Sequence, residues 1–237
     1  MKYYYITGTS RGIGKAVAEA LLEDENHQVL GISRNHTIEH SHYTPITLDL
    51  NNLDKVREFQ FGEHPDAEKI VLVNNAGVLG HVAQVGRMYH DKIIQSYNVN
   101  LVSPSILINS FIGQYQDRDI DKMLLNTSSG AARHTIPSWS TYCSTKSGIE
   151  MFLRVIEDEQ KDFPYPFKIY SVAPGVVDTE MQDEIREVEP ENFRELDRFV
   201  QLKKEGMLVD PQAVGKKFVD IMEHPASYPK TLMDLRD

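Results

Sequence analysis

Tyr142 and Lys146 stand four residues apart, and Ser129 precedes the tyrosine by 13. On a helix, a spacing of four puts the phenol and the ammonium on one face. A phenol at its ordinary pKa of about 10 exchanges protons poorly near neutrality, and an adjacent cation favours its phenolate. Ser129 adds a hydroxyl able to hold an oxygen that gains negative charge. The three groups suit proton delivery to a carbonyl under reduction. A Tyr-x-x-x-Lys pair standing alone is common on amphipathic helices, so the reading depends on its frame.

The frame begins with Thr7-Gly8-Thr9-Ser10-Arg11-Gly12-Ile13-Gly14, between a β-rich run at 2–7 and a helical pattern from Ile13 to Leu22. A strand–glycine turn–helix lets a diphosphate reach backbone N–H groups at the positive end of the helix. Gly8, Ser10, Arg11, Gly12, Ile13 and Gly14 are therefore expected to hold a dinucleotide. The second strand, 28–33, ends Gly31-Ile32-Ser33-Arg34, without the acid that commonly accepts the ribose hydroxyls of NAD. Arg34, aided by Arg11, suits a 2′-phosphate instead, which favours NADP(H). Asp49, at the end of the third strand, suits the adenine amino group or caps the following helix.

These residues need a scaffold. Further strands are expected at 44–49, 70–73, 121–127, 167–172 and about 230–234. Helices are expected at 53–61, 87–112 (interrupted, if anywhere, at Pro104), 139–161 and from Asp210-Pro211 onward. The alternation predicts an α/β fold, a Rossmann-like doubly wound parallel sheet of about seven strands with helices on both faces. We read residues 1–237 as a single domain. Residues 180–205 are dense in charge of both signs, yet Met181, Ile185, Phe193, Leu196, Phe199, Val200 and Leu202 make an apolar stripe through them. One or two amphipathic helices forming a flap over the substrate are expected there.

Composition narrows the function. The chain of 237 residues is 41% hydrophobic and 25% charged, and Lys+Arg 25 against Asp+Glu 35 leaves a net charge of −10. That balance disfavours nucleic acid and anionic membranes as partners. No stretch approaches the roughly 20 apolar residues of a membrane span, and no signal-peptide pattern opens the chain. The lone Cys143 excludes an internal disulfide and a multi-thiolate metal site. A cytoplasmic protein is expected. His36, His40 and His42 lie in a polar stretch without carboxylates and read as loop, so no metal is expected.

The motifs TGTSRGIG, NNAG at 74–77, NVNL at 98–101, SSGAA at 128–132, YCSTK at 142–146 and PGVVDT at 174–179 follow the order of the short-chain dehydrogenase/reductase superfamily. The resemblance spans about 2–234. It implies Ser129, Tyr142 and Lys146 as the catalytic triad, with Lys146 also bonding the nicotinamide ribose. Asn100 is implied as a fourth member, with Asn98 the competing candidate. By the same likeness Asn74, Ala76 and Gly77 run along the adenine ribose, while Pro174, Gly175, Val177 and Thr179 hold the nicotinamide. Ser103 stands where relatives commonly have glycine.

SRGIG with Arg34, Trp139 three before the tyrosine, the Tyr142-Cys143 pair and PGVVDTEMQ are similar to the sepiapterin reductase branch, and within it to bacterial benzil reductases. That likeness implies NADPH-dependent reduction of one ketone of a vicinal dicarbonyl, of the benzil to (S)-benzoin type. Reduction of a pterin side-chain ketone is the alternative, and a non-catalytic NADPH-binding sensor or scaffold is a second. Trp139, Met181 and Asp234 are the candidate substrate residues. A homodimer through the helices around 90–112 and 140–160 is the family expectation.

Overall fold

A run such as Ile70-Val71-Leu72-Val73, with no polar residue, must be covered on both faces. It is so covered in the computed structural model, which describes residues 1–236. The strands are β1 (Lys2–Thr7), β2 (His27–Ser33), β3 (Tyr43–Thr47), β4 (Lys69–Asn74), β5 (Asp121–Thr127), β6 (Lys168–Ala173) and β7 (Leu232–Asp234). The helices are α1 (Gly12–Leu21), α2 (Leu53–Glu58), α3 (His90–Tyr97), α4 (Ser103–Tyr115), α5 (Ser140–Glu159), α6 (Glu180–Arg186), α7 (Leu196–Lys204) and α8 (Pro211–Glu223).

All seven strands are parallel, in the order β3-β2-β1-β4-β5-β6-β7. The chain runs outward from β1 to one edge, then returns to build the other side from β4. Ligands in such sheets bind where that reversal opens a crevice beyond the carboxyl ends of the strands.

Alternation along the strands sorts the core into two layers. Tyr4 and Ile6 pack with Val17 and Leu21 of α1 and with Phe218 and Ile221 of α8. Tyr5, Ile70 and Leu72 face Val56 of α2, Leu107 and Phe111 of α4, and Ile149 and Leu153 of α5. Full burial of each such aliphatic or aromatic side chain contributes about 1.5–3 kcal/mol. The helices α1 and α8 touch so closely that a Cβ at Gly215 would lie 2.7 Å from the Ala16 backbone. Pro45 sits in β3, an edge strand, where its missing N–H breaks no interior ladder.

Polar groups inside the sheet are matched. Asn74 donates to Asn126 at 2.8 Å, and Asn126 donates to Ser171 at 3.0 Å, linking β4, β5 and β6 at positions that are partners in register. The Lys122 ammonium, 1% exposed, donates to the carbonyls of Tyr115, Gln116 and Arg118 and closes the end of α4. At the opposite end of the sheet from the crevice, Glu223 accepts from Lys2, from Tyr4 at 2.6 Å and from Lys69 at 3.1 Å.

Burial alone would raise the Glu223 carboxyl, but those three donors outweigh it and hold its pKa down at about 2. A carboxylate depressed on folding gives stability that is present above its unfolded pKa and lost as pH falls toward the folded value. Glu223 is expected to contribute about 2–3 kcal/mol at neutral pH, lost between about pH 4.5 and 2. Denaturant melts of Glu223→Gln should show that loss at pH 7 and a smaller difference from wild type at pH 3.

Candidate active site

Three elements bring the catalytic candidates together. Thr127 ends β5, Ser129 follows and caps a single 3-10 turn at 130–132, and α5 carries Tyr142 and Lys146 on successive turns. The Lys146 ammonium, 7% exposed, donates to the Thr127 carbonyl at 2.8 Å and lies 5.8 Å from the centre of the Tyr142 ring. Burial pushes its pKa down to about 8. Burial also dominates at Tyr142, whose phenol is pushed up to about 12 despite a bond with Ser129 that pulls it down. Desolvation, rather than the neighbouring ammonium, governs this phenol, which departs from the sequence expectation.

The helical pattern at 87–112 begins later, at His90, and Pro104 is not where it breaks. Residues 98–102 form one wide π-type turn between α3 and α4, and Pro104 sits in the first turn of α4. Such turns occur often at functional sites. Pro104 also has no N–H to give the Asn100 carbonyl four residues earlier. The turn aims Asn100 inward, where its amide accepts from Val78 N and donates to Val78 O, each at 2.8 Å, and donates to Thr145 at 3.3 Å. Asn98 instead bonds Asn51 on the outside of the helix. Of the two asparagines, Asn100 is the one hydrogen-bonded to α5, the helix of Tyr142 and Lys146. Ser103, in the usual glycine position, donates to the Leu50 carbonyl at 2.5 Å.

A cavity of about 680 Å³ runs from the end of β2 to α6. Ser129, Tyr142 and Lys146 open onto it, as do Gly8, Ser10, Arg11, Gly12, Ile13, Arg34 and Asp49 at one end and Ala76 and Gly77 in its floor. Pro174, Gly175, Val177, Thr179, Trp139 and Met181 line the remainder. Gly8 and Gly12 have φ of +78° and +58°, conformations that favour glycine, and a Cβ at Gly8 would lie 3.0 Å from Ala76 Cα. A backbone cradle emptied of side chains, at the first turn of α1, fits a diphosphate. Gly14 serves differently. It faces away from the cavity, and a Cβ there would strike Gly8 O and the Asn75 amide.

Two more expected contacts, Asn74 and Asp234, stand off the cavity wall. Asn74 points along the sheet toward Asn126, and its neighbour Asn75 forms the cavity wall. Asp234 lies off the wall, bonded by Arg236, which holds its carboxyl below the usual range. Arg236 itself lines the cavity. Asn100 stands behind the wall, next to Lys146. Arg11 faces the cavity but pairs with Glu180 and Glu184 of α6, leaving Arg34 as the arginine at the end of β2.

The charge-rich segment forms α6 and α7. Val177 bridges to Val209 as a parallel pair, so the excursion departs and returns at one place. Most of its apolar stripe packs beside the cavity, where Phe193 stacks on Trp139 at 5.3 Å and Met181, Ile185, Leu196 and Phe199 join them, whereas Val200 is exposed and Leu202 is outside the cluster. Three residues went unnoticed in sequence: Asn75, Arg236 and Glu150. The last had a signal, an acid one turn beyond Lys146 on the same helix face.

The model for short chain dehydrogenases matches residues 2–190. The chain belongs to the short-chain dehydrogenase/reductase family. Among curated relatives, a benzil reductase ((S)-benzoin forming) of Bacillus cereus is 37% identical over 237 residues, covering 94% of each chain. A sepiapterin reductase of Xenopus tropicalis is 35% identical over 164 residues, covering 68% of this chain and 60% of that one. A crystal structure of a short chain dehydrogenase/reductase from Saccharomyces cerevisiae superposes with a TM-score of 0.86 at 24% identity, covering 100% and 97%. This is therefore an oxidoreductase of alcohols and carbonyls whose family binds NAD(P)(H).

A phenol that delivers a proton to a carbonyl must start in its neutral form, and burial, which pushes the Tyr142 pKa up to about 12, favours that form well into alkali. The Lys146 charge is lost sooner, as pH rises through about 8. The kcat/KM for reduction is therefore expected to be level below about pH 7 and to fall about tenfold per unit well above 8. Lys146→Arg, which keeps its charge, should abolish that alkaline fall in the same pH profile.

Proposed function

We propose that the protein is a cytoplasmic, single-domain, NADPH-dependent carbonyl reductase that acts on one ketone of a vicinal dicarbonyl, with benzil to (S)-benzoin as the type reaction. The convergence of Ser129, Tyr142 and Lys146 on the cavity that the glycine turn opens carries the reading. When bound, the dinucleotide supplies the hydride. Ser129 holds the carbonyl oxygen and Tyr142 donates the proton that the oxygen gains. Lys146 keeps a positive charge beside that transfer, and Asn100 keeps the loop at Val78 and the helix at Thr145 in place around it.

The choice of NADPH rests on Arg34, exposed just after β2, where the chain carries no acid at the strand's end. An aromatic wall of Trp139 and Phe199 suits an aryl ketone. The pterin alternative has less support, since Asp234 is bonded by Arg236 and does not line the cavity. A pure sensor would have no use for buried proton-transfer groups. The homodimer belongs to the same reading, supported by exposed Ile94 on α3 and by Met151 and Val155, one turn apart on α5.

Assays of NADPH oxidation with benzil, 1-phenyl-1,2-propanedione and sepiapterin, with chiral analysis of products, test the substrate class. Turnover of the diketones is expected, and turnover of the pterin alone would overturn the reading. Tyr142→Phe should lower kcat at least about 1000-fold while NADPH still quenches protein fluorescence. Arg34→Ala should raise KM for NADPH about 10-fold or more and leave KM for NADH nearly unchanged, since one charge-assisted contact is lost.

A further inference from the structure

Glu150 is a buried carboxylate that the chemistry above does not use. It lies on α5 one turn beyond Lys146 and two beyond Tyr142, and is 7% exposed. Ser128 Oγ donates to its Oε2 at 2.8 Å. Arg133 donates from Nε to Oε1 at 3.0 Å and from Nη2 to Oε2 at 3.1 Å. Ser128 immediately precedes Ser129, and Arg133 immediately follows the turn that Ser129 caps, where Ser129 Oγ accepts from Ala131 N at 3.2 Å. Both ends of the six-residue segment 128–133 therefore converge on one side chain of the catalytic helix.

A buried carboxylate is costly, and an apolar side chain would fill the same place on α5 with less penalty. An apolar group has no direction, however. Three bonds to two residues on either side of Ser129 fix both the distance and the angle of its segment against the helix. We propose that Glu150 is a positioning residue that holds the Ser129 hydroxyl in place against the Tyr142 phenol. It ties the loop that bears the serine to the helix that bears the tyrosine and the lysine. The proposal rests on the reading of Ser129 and Tyr142 as machinery for carbonyl reduction.

An isosteric Glu150→Gln keeps an acceptor for Ser128 but weakens the grip on Arg133, while Ser128→Ala removes one hydroxyl and leaves the ion pair. Each is made in the wild-type and in the Ser129→Ala background, and kcat and KM are measured with benzil and NADPH. In the wild-type background kcat is expected to fall about 5-fold to 50-fold, with KM for NADPH within about twofold. In the Ser129→Ala background the same changes should cost less than about twofold, because the group they position is gone. Equal losses in both backgrounds, the signature of a structural ion pair, would overturn the proposal, as would no loss in either.

A second readout is independent of turnover. With ring-carbon-13 tyrosine, the Tyr142 resonance is assigned by its disappearance in Tyr142→Phe and followed at neutral pH. It should move in Glu150→Gln and in Ser128→Ala in the direction that Ser129→Ala moves it. A resonance unmoved by the first two and shifted by the third would overturn the positioning role. Absence of turnover with every dicarbonyl, with the resonance still shifted, would instead overturn the proposed function alone.

Discussion

A buried ammonium must find an oxygen, and for Lys146 that oxygen is the carbonyl of Thr127, the last residue of β5. This bond fastens the long helix α5 to the carboxyl end of a central strand. Once it is made, Tyr142 is carried to the same edge by the helical repeat, and Ser129 is carried there by being two residues past the strand. One strand end thus supplies the lysine's anchor and the serine's position together. The wide turn around Asn100 adds a third fastening, through Val78 and Thr145, from the opposite wall. The cavity is built on constraints that the sheet imposes before any ligand is considered.

Burial raises Tyr142 and lowers Lys146, so both neutral forms gain relative to the charged ones. Ile185, Phe193 and Phe199 of the segment that carries α6 and α7 pack in one apolar cluster with Trp139 and Tyr142 and contribute to the burial of the tyrosine. The packing that lines this end of the cavity therefore also favours the neutral phenol of Tyr142. Arg11 extends the link to the glycine turn through its ion pairs with Glu180 and Glu184, so the flap touches both ends of the cavity.

Much of this was legible in the residues. Glycine spacing, the apolar run at 70–73 and the strand–helix alternation fix the parallel sheet, and the Tyr142–Lys146 interval fixes their common face. What could not be read has physical reasons. The hydrophobic repeat continues across 98–102 whether the turn there is α or π, so Pro104 is the visible candidate for a break and the wide turn that aims Asn100 inward is not. Asn74 and Asn75 are chemically identical, and only the pleat decides which one looks into the crevice. Arg236 and Asp234 sit in a tail with no repeat at all, so their pairing, with Arg236 on the cavity side, leaves no mark in the sequence. Glu150 was readable in principle, from its place on the buried face of α5, yet an acid there looks like ordinary helix until its partners are known.

The amide ladder from Asn74 through Asn126 to Ser171 lies within three central strands whose middle stretches are apolar and whose charged residues, Lys69, Asp121, Lys122 and Lys168, stand at the starts of the strands. Strands of Val, Leu and Ile fit one another almost equally well when slid along by two residues, because the pleat is preserved. Such a slide here would strand two carboxamides in the dry interior at a cost of about 1–3 kcal/mol for each unmet group. The ladder therefore favours one register over its neighbours, and with it one common height for the ends of β4, β5 and β6, from which the segment bearing Ser129 departs.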